Sequence, residues 1–156
     1  MSQSLNIVVL GGGPSAEREV SLRSSSAVAR ALAGLGHQVK TIDPVPGKLA
    51  GQIPAGTDVV FVALHGTYGE DGAVQAELEA MGLPYTGCDV ESSRMAFDKV
   101  ITKAMCVKHG VPTAHSRVLC AANNQWPRDW QPPVVLKPVR QGSSVGLQFV
   151  DRIEDF

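Results

Sequence analysis

Hydrophobic positions along the chain alternate between short apolar runs and longer stretches with helical spacing. Asn6-Ile7-Val8-Val9-Leu10 is apolar on both faces and stops at Gly11-Gly12-Gly13, the pattern of a strand buried inside a parallel sheet. A helical pattern follows, with Ala16, Val20, Ala27, Val28, Ala31, Leu32 and Leu35 on one face. Pro14 and Ser15 mark its start, and Gly34 and Gly36 its end. A second strand is predicted from His37 to Ile42 and a third from Asp58 to Leu64, across a turn-rich stretch containing Pro44, Pro46, Gly47 and Pro54. The order strand, helix, strand, loop, strand implies an open α/β sheet with right-handed crossovers.

The polar loop His65-Gly66-Thr67-Tyr68-Gly69-Glu70-Asp71-Gly72 leads into a short helix over Ala73–Met81 and a turn at Gly82-Leu83-Pro84-Tyr85. One longer helix is predicted from Ser92 to His109, with Phe97, Val100, Ile101, Ala104 and Met105 as its apolar stripe and Gly110 and Pro112 closing it. The texture then changes. Ala114–Leu119 and Val134–Lys137 read as strands joined by a Trp/Pro/Asn-rich connection. A glycine–serine loop from Pro138 to Gly146, a strand Leu147–Val150 and a turn opening a helix complete the chain. A domain boundary is expected near residue 95, giving domains 1–95 and 96–156, the second cut short and too small to be robust alone.

Composition narrows the classes. The 156 residues are 44% hydrophobic and 19% charged, enough for a core and against wholesale disorder. Fourteen Lys and Arg against fifteen Asp and Glu leave no cationic footprint for nucleic acid. No apolar run reaches the length of a membrane span, and Met1-Ser2-Gln3-Ser4 lacks the basic start of a secretion signal. Cys88, Cys106 and Cys120 are an odd number without a CxxC pair, which argues for free, buried thiols in a reducing cytoplasm.

Three constellations carry candidate chemistry. Gly11, Gly13 and Ala16 fit G-x-G-x-x-A, with Asp43 where a ribose-binding acid would stand. Yet Glu17 and Glu19 fall in the expected first helical turn, where a pyrophosphate needs positive potential. A carboxylate there favours an ammonium-bearing ligand, unless it only complements the helix dipole. His65, Glu70 and Asp71 lie at the carboxyl end of a buried strand, the edge where open α/β sheets bind ligands. They could orient a substrate, hold a metal or simply bond to loop backbone. Lys137 ends a strand and meets Gly142-Ser143-Ser144-Val145-Gly146, whose N–H groups and hydroxyls suit phosphates but lack the P-loop order. With Lys99 it makes a pair of cations; the alternative is a flexible hairpin with a solvent-facing lysine.

Taken in order, these segments resemble the D-alanine–D-alanine ligases of the ATP-grasp superfamily. The resemblance rests on Gly12-Gly13-Pro14-Ser15-Ala16-Glu17-Arg18-Glu19-Val20-Ser21, Ala63-Leu64-His65-Gly66 with Gly69-Glu70-Asp71-Gly72, Gly82-Leu83-Pro84-Tyr85-Thr86-Gly87, Asp98-Lys99, and Lys137-Pro138 with Gly142-Ser143-Ser144-Val145-Gly146. It implies an α/β fold with an open, mainly parallel sheet flanked by helices (a pre-ATP-grasp domain), followed by an incomplete α+β ATP-grasp domain. It also implies ATP-dependent joining of two D-alanines through an acyl phosphate. By motif, Glu17 would bind the first D-alanine's ammonium, and Ser143 would link to Glu17 and orient substrate. His65 would lie near the substrate carboxylate, and Lys99, Lys137, Ser143 and Ser144 would contact ATP. Mg2+ or Mn2+ would be held outside this chain, so that the chain alone would not turn over. A cytoplasmic homodimer without nucleic-acid or membrane partners is further implied. Gln141 departs from the glutamate common in the family and removes one charge.

Alternatives stay open at this level. They are another ATP-grasp carboxylate–amine ligase, a Rossmann-type nucleotide module without ligase chemistry, and an inactive dimerisation piece. A Ser–His–Asp hydrolase lacks the G-x-S-x-G elbow.

Overall fold

The computed structural model describes residues 3–120 and 125–156; the first two residues and part of the Trp/Pro/Asn-rich connection lie outside the described residues. The chain forms two compact units, one up to Phe97 and the other from Asp98 onward.

The first unit is built around β1 (Asn6–Leu10). It pairs in parallel with β2 (Gln38–Ile42) on one side and β3 (Val59–Val62) on the other, Val8 standing opposite Lys40 and Val60. Tyr85 adds a further parallel bridge to Val60. Alternation along β1 divides the core between the two faces of the sheet. Val8 and Leu10 pack with Ile42, Leu49, Val60, Leu64, Tyr68, Val74 and Leu78. Ile7 and Val9 face the other way, against Ala63 and the half-buried Val28, Ala29 and Leu32. α1 (Arg18–Gly34) supplies those last three residues, while α2 (Leu49–Gln52) and α3 (Ala73–Ala80) cover the Val8–Leu10 face. Each fully buried Val or Leu contributes roughly 1.5–3 kcal/mol of transfer free energy.

The buried face of α1 differs in part from the expected one, although Val28 and Leu32 pack inward as predicted. Ser21 and Ser25 are its buried residues, whereas Val20 and Leu35 are exposed, as are Ala27 and Ala31. Close approach explains this: a Cβ on Gly11 would lie 2.1 Å from Ser25 Oγ, so the helix meets the glycine loop at a distance only small side chains allow. Ser21 Oγ accepts from Gly12 N–H at 2.9 Å and donates to Ala63 O at 2.7 Å. One hydroxyl thus ties the loop after β1 to the end of β3.

The single helix expected from Ser92 to His109 is two, α4 (Val90–Phe97) and α5 (Lys99–Lys108). Asp98 separates them with extended backbone, φ −91° and ψ 109°, and its carboxylate accepts from Val100 N–H at 2.9 Å and Ile101 N–H at 3.1 Å. This is an N-cap, which favours a fresh helix start over continuation. Asp89 caps α4 in the same way, accepting from Ser92 N–H at 2.7 Å. The apolar stripe expected across the break is not a buried face: Val100 and Ile101 are about 40% exposed.

In the second unit β4 (Val134–Leu136) pairs antiparallel with β5 (Gln148–Val150), and a 3-10 turn follows at Ile153–Asp155. The strand expected at Ala114–Leu119 does not form: among the described residues its backbone has no ladder partner, and a lone strand gains nothing from extension. Lys103 holds the segment's start through Thr113 Oγ1 and Ala114 O, and Arg117 pairs with Asp129 near its end. No helix among the described residues is long and apolar enough to cross a membrane.

Replacing Ser21 by Ala should cost roughly 1–3 kcal/mol, because Gly12 N–H and Ala63 O would be left buried without a partner. Urea unfolding followed by circular dichroism measures it; a midpoint unchanged from the wild type would show that the bridge is not structural.

Candidate functional site

Every glycine N–H in the loop after β1 is committed within the fold. Gly11 N–H donates to Ile42 O at 3.0 Å, Gly12 N–H to Ser21 Oγ, and Gly13 N–H to Asp43 Oδ1 at 2.9 Å. A dinucleotide loop must instead offer such groups to a pyrophosphate. Asp43 is no more available for a ribose. Its carboxylate takes both arms of the Arg18 guanidinium, which also donates to Gly13 O at 3.1 Å. Arg18, through its hydrogen bond, and Gly13 N–H hold the Asp43 carboxyl below the usual carboxylate range, against the opposing effect of partial burial.

The helix begins at Arg18, later than expected, so Glu17 stands at its N-cap position instead of inside the first turn. Its side chain makes no capping bond, while its N–H donates to Ser15 Oγ at 3.1 Å. The half-buried Glu17 carboxylate points across to the loop after β3: a Cβ on Gly66 would lie 2.8 Å from Glu17 Oε2 and 2.5 Å from Ser15 Oγ. Gly66 has φ 68°, so this position lacks space for a side chain and needs left-handed backbone as well. Next to it, His65 Nε2 lies 3.3 Å from Ser24 Oγ and its Nδ1 3.5 Å from Glu70 Oε1. Glu17, His65 and Glu70 therefore gather at the carboxyl edge of the sheet. The chemistry on offer is two carboxylates flanking one imidazole, suited to a small ligand with an ammonium group.

Asp71 belongs to the scaffold. Its two oxygens accept from Tyr68 N–H at 2.9 Å and Ala73 N–H at 3.0 Å, so it braces the loop and starts α3. Among the described residues no three His, Cys, Asp or Glu side chains converge to hold a metal ion. Tyr68 is buried with φ 74°, and its hydroxyl donates to Glu77 Oε1 at 2.9 Å. Burial and that carboxylate push the Tyr68 phenol well above its ordinary value. Glu77 also accepts from Gly47 N–H and Leu49 N–H, which joins the loop after β2 to the loop after β3.

In the second unit, Lys99 is the first residue of α5. Its backbone N–H donates to Val139 O at 3.1 Å and its Nζ to Gln141 O at 2.8 Å. Asp98 Oδ2 accepts from Arg140 Nε at 2.8 Å. Lys137, Ser143 and Ser144 are exposed, and Lys137 has no ion pair or hydrogen bond among the described residues. Ser143 adopts φ 52°, a left-handed conformation unusual for serine. Glu17 and His65 are thus brought together in one unit, and Lys99 meets the glycine–serine loop in the other. The Arg18–Asp43 pair, Ser24 beside His65, and the Asp98–Arg140 contact are not evident from sequence. Only Asp98, as a helix-capping residue directly before Lys99, left a readable signal.

Arg18→Met should lower stability only slightly near neutral pH, since the pair with Asp43 is nearly half exposed and screened by solvent. Because the folded Asp43 carboxyl lies below its unfolded value of about 3.9, the pair's contribution is complete above that pH and lost as pH falls through the folded value. The wild-type and variant stability curves should therefore converge as pH falls through the carboxylate range; curves that stay parallel in acid would refute the assignment.

Comparison with known proteins bears on the whole chain. A family model described as D-ala D-ala ligase N-terminus matches residues 44–88. The D-alanine–D-alanine ligase of Methylacidiphilum infernorum is 43% identical over 150 residues, covering 96% of this chain and 48% of that protein. That of Aquifex aeolicus is 44% identical over 155 residues, covering 97% and 52%. Crystal structures of the Bacillus anthracis D-alanine–D-alanine ligase superpose with TM-scores of 0.83, for its complex with ATP, and 0.85. Identity is 29% and 31%, with 97% of this chain covered and 52% and 51% of the solved chains. The chain spans about half the length of the curated relatives it matches. Along nearly its whole length, the chain is similar to the amino-terminal portion of D-alanine–D-alanine ligases.

Proposed function

We propose that this chain provides the substrate-binding edge and the opening part of the ATP site of an ATP-dependent D-alanine–D-alanine ligase. The observation that carries the reading is the Glu17 carboxylate, set at the start of α1 against Gly66 and one residue from His65. An anion already occupies the end of the helix that attracts anions, so the complementary ligand group is a cation. D-alanine is a small zwitterion: its ammonium would pair with Glu17 and its carboxylate would lie towards His65. Similarity to the D-alanine–D-alanine ligases supports ATP as the second ligand, as does the Bacillus anthracis structure in complex with ATP.

In the proposed reaction a carboxylate oxygen of the first D-alanine attacks the γ-phosphorus of ATP, the bond to the bridging oxygen breaks, and ADP leaves. The amine of the second D-alanine then adds to the acyl phosphate carbonyl. Collapse of that adduct expels phosphate and leaves the new amide once the amine has lost its proton. This chain's part is to orient the first D-alanine through Glu17 and His65, and to place Lys99, Lys137, Ser143 and Ser144 near the nucleotide phosphates. Cations there offset charge developing on the transferring group. Ser143 would also help to orient the substrate. Exclusion of water by the glycine–serine loop would protect the acyl phosphate from hydrolysis. Magnesium would supply further charge neutralisation, but the described residues offer no carboxylate cluster for it, and no step here is routed through the ion. A cytoplasmic homodimer without nucleic-acid or membrane partners completes the reading, supported by resemblance to the ligases alone.

The test is phosphate release from Mg·ATP by this chain and by the longest polypeptide its source encodes. D-alanine, and not L-alanine, should stimulate release by the longer polypeptide. Glu17→Gln should lower kcat/KM for D-alanine by roughly tenfold to a hundredfold, the worth of one charged hydrogen bond. Release that ignores D-alanine, or responds equally to L-alanine, would exclude this ligase.

A further inference from the structure

The second unit fastens one half of its glycine–serine loop and leaves the other half free. Three successive residues, Val139, Arg140 and Gln141, are each bound to Asp98 or Lys99: Lys99 N–H to Val139 O, Arg140 Nε to Asp98 Oδ2, and Lys99 Nζ to Gln141 O. The hydrogen bonds of residues 143–146, in contrast, stay within 142–147, and these four residues are exposed. The residue between fastened and free halves is Gly142, followed by Ser143 in its left-handed conformation.

Asp98 is the centre of the fastened half. Its side chain is only 8% exposed, although that of its partner Arg140 is 72% exposed. Oδ1 caps α5 through Val100 and Ile101, and Oδ2 is left for Arg140. Capping accounts for the first oxygen only. The second turns the cap into a brace between the helix that carries Lys99 and the base of the loop. Lys99 meanwhile rests on a neutral carbonyl, an acceptor that a phosphate oxygen would outcompete through its charge. Because that acceptor is backbone, the contact does not depend on the Gln141 side chain, and the glutamine that departs from the family pattern leaves it intact.

We propose that Asp98, acting through Arg140, is a positioning residue for the nucleotide: it fixes Lys99 and residues 139–141 as one piece and confines closure over the phosphates to residues 142–146. The proposal rests on the ATP reading above and goes beyond it in naming which part of the loop is stationary and what holds it.

The test uses the longest polypeptide its source encodes, with Mg·ATP as the titrant in calorimetry and steady-state kinetics alongside. Asp98→Asn keeps a good helix cap but loses the charge that holds Arg140. Arg140→Met removes the exposed arm without touching the cap. Each should weaken Mg·ATP binding about tenfold, and the double variant should be no weaker than the weaker single one, since all three lack the same contact. KM for ATP should rise while KM for D-alanine stays within about twofold, and Arg140→Lys should recover part of the loss. Urea midpoints of the variants report whether either has failed to fold. Wild-type binding with Arg140→Met unchanged, or penalties that multiply in the double variant, would overturn the brace while leaving the nucleotide reading standing. A folded wild type that ignores Mg·ATP would overturn both.

Discussion

The central strand of the first unit is bonded on both edges and buried on both faces, and the rest of the unit is arranged by that constraint. Val8, Val9 and Leu10 are at most 2% exposed, so β1 can present nothing polar towards its carboxyl end. Chemistry is displaced to where the strand ends. There the backbone must turn, and the glycines that let it turn also let α1 approach closely. Ser21 and Ser25 occupy the contact because little else fits, and Ser21 converts tight packing into a hydrogen-bonded junction between two loops. The position of Glu17 follows from this junction, since the helix register set by Ser21 fixes where the chain enters α1.

The same constraint explains what the glycine loop does. A strand–glycine–helix passage is compatible with a phosphate cradle, and the residue pattern alone does not separate that from a ligase's substrate edge. The committed N–H groups weigh against the cradle. With Gly11, Gly12 and Gly13 spending their donors on Ile42, Ser21 and Asp43, the helix end is left to Glu17.

Much of the first unit was legible because β1 is apolar from Ile7 to Leu10, and α3 begins where its pattern says and ends one residue before. Misreadings arose where contacts across the chain outweigh local pattern. The inward face of α1 is serine near its start, so a search for an apolar stripe selects Ala27 and Ala31, which are exposed. The helical spacing running through Phe97 and Val100 is real in sequence but is cut by a capping aspartate, a stop signal that periodicity does not register. Ala114–Leu119 has strand-forming residues without a ladder partner among the described residues. At the site, residue types announced Glu17, His65 and the Lys99 cation singly, and only the resemblance to the ligases set Glu17 and His65 at one substrate. The pairing of Arg18 with Asp43, 25 positions apart, and of Asp98 with Arg140, 42 apart, depends on tertiary placement that no local spacing encodes.

Glu77 carries a consequence for how such a chain can diverge. Its carboxylate accepts from Tyr68 in the loop after β3 and from Gly47 and Leu49 beyond β2, so two loops distant in sequence share one anchor. Loops usually absorb insertions and deletions independently of one another. Here a change of length at 43–49 would be transmitted through one side chain to the segment that carries His65 and Glu70. The two loops are therefore expected to vary together among descendants of this sequence, or else Glu77 must be given up first.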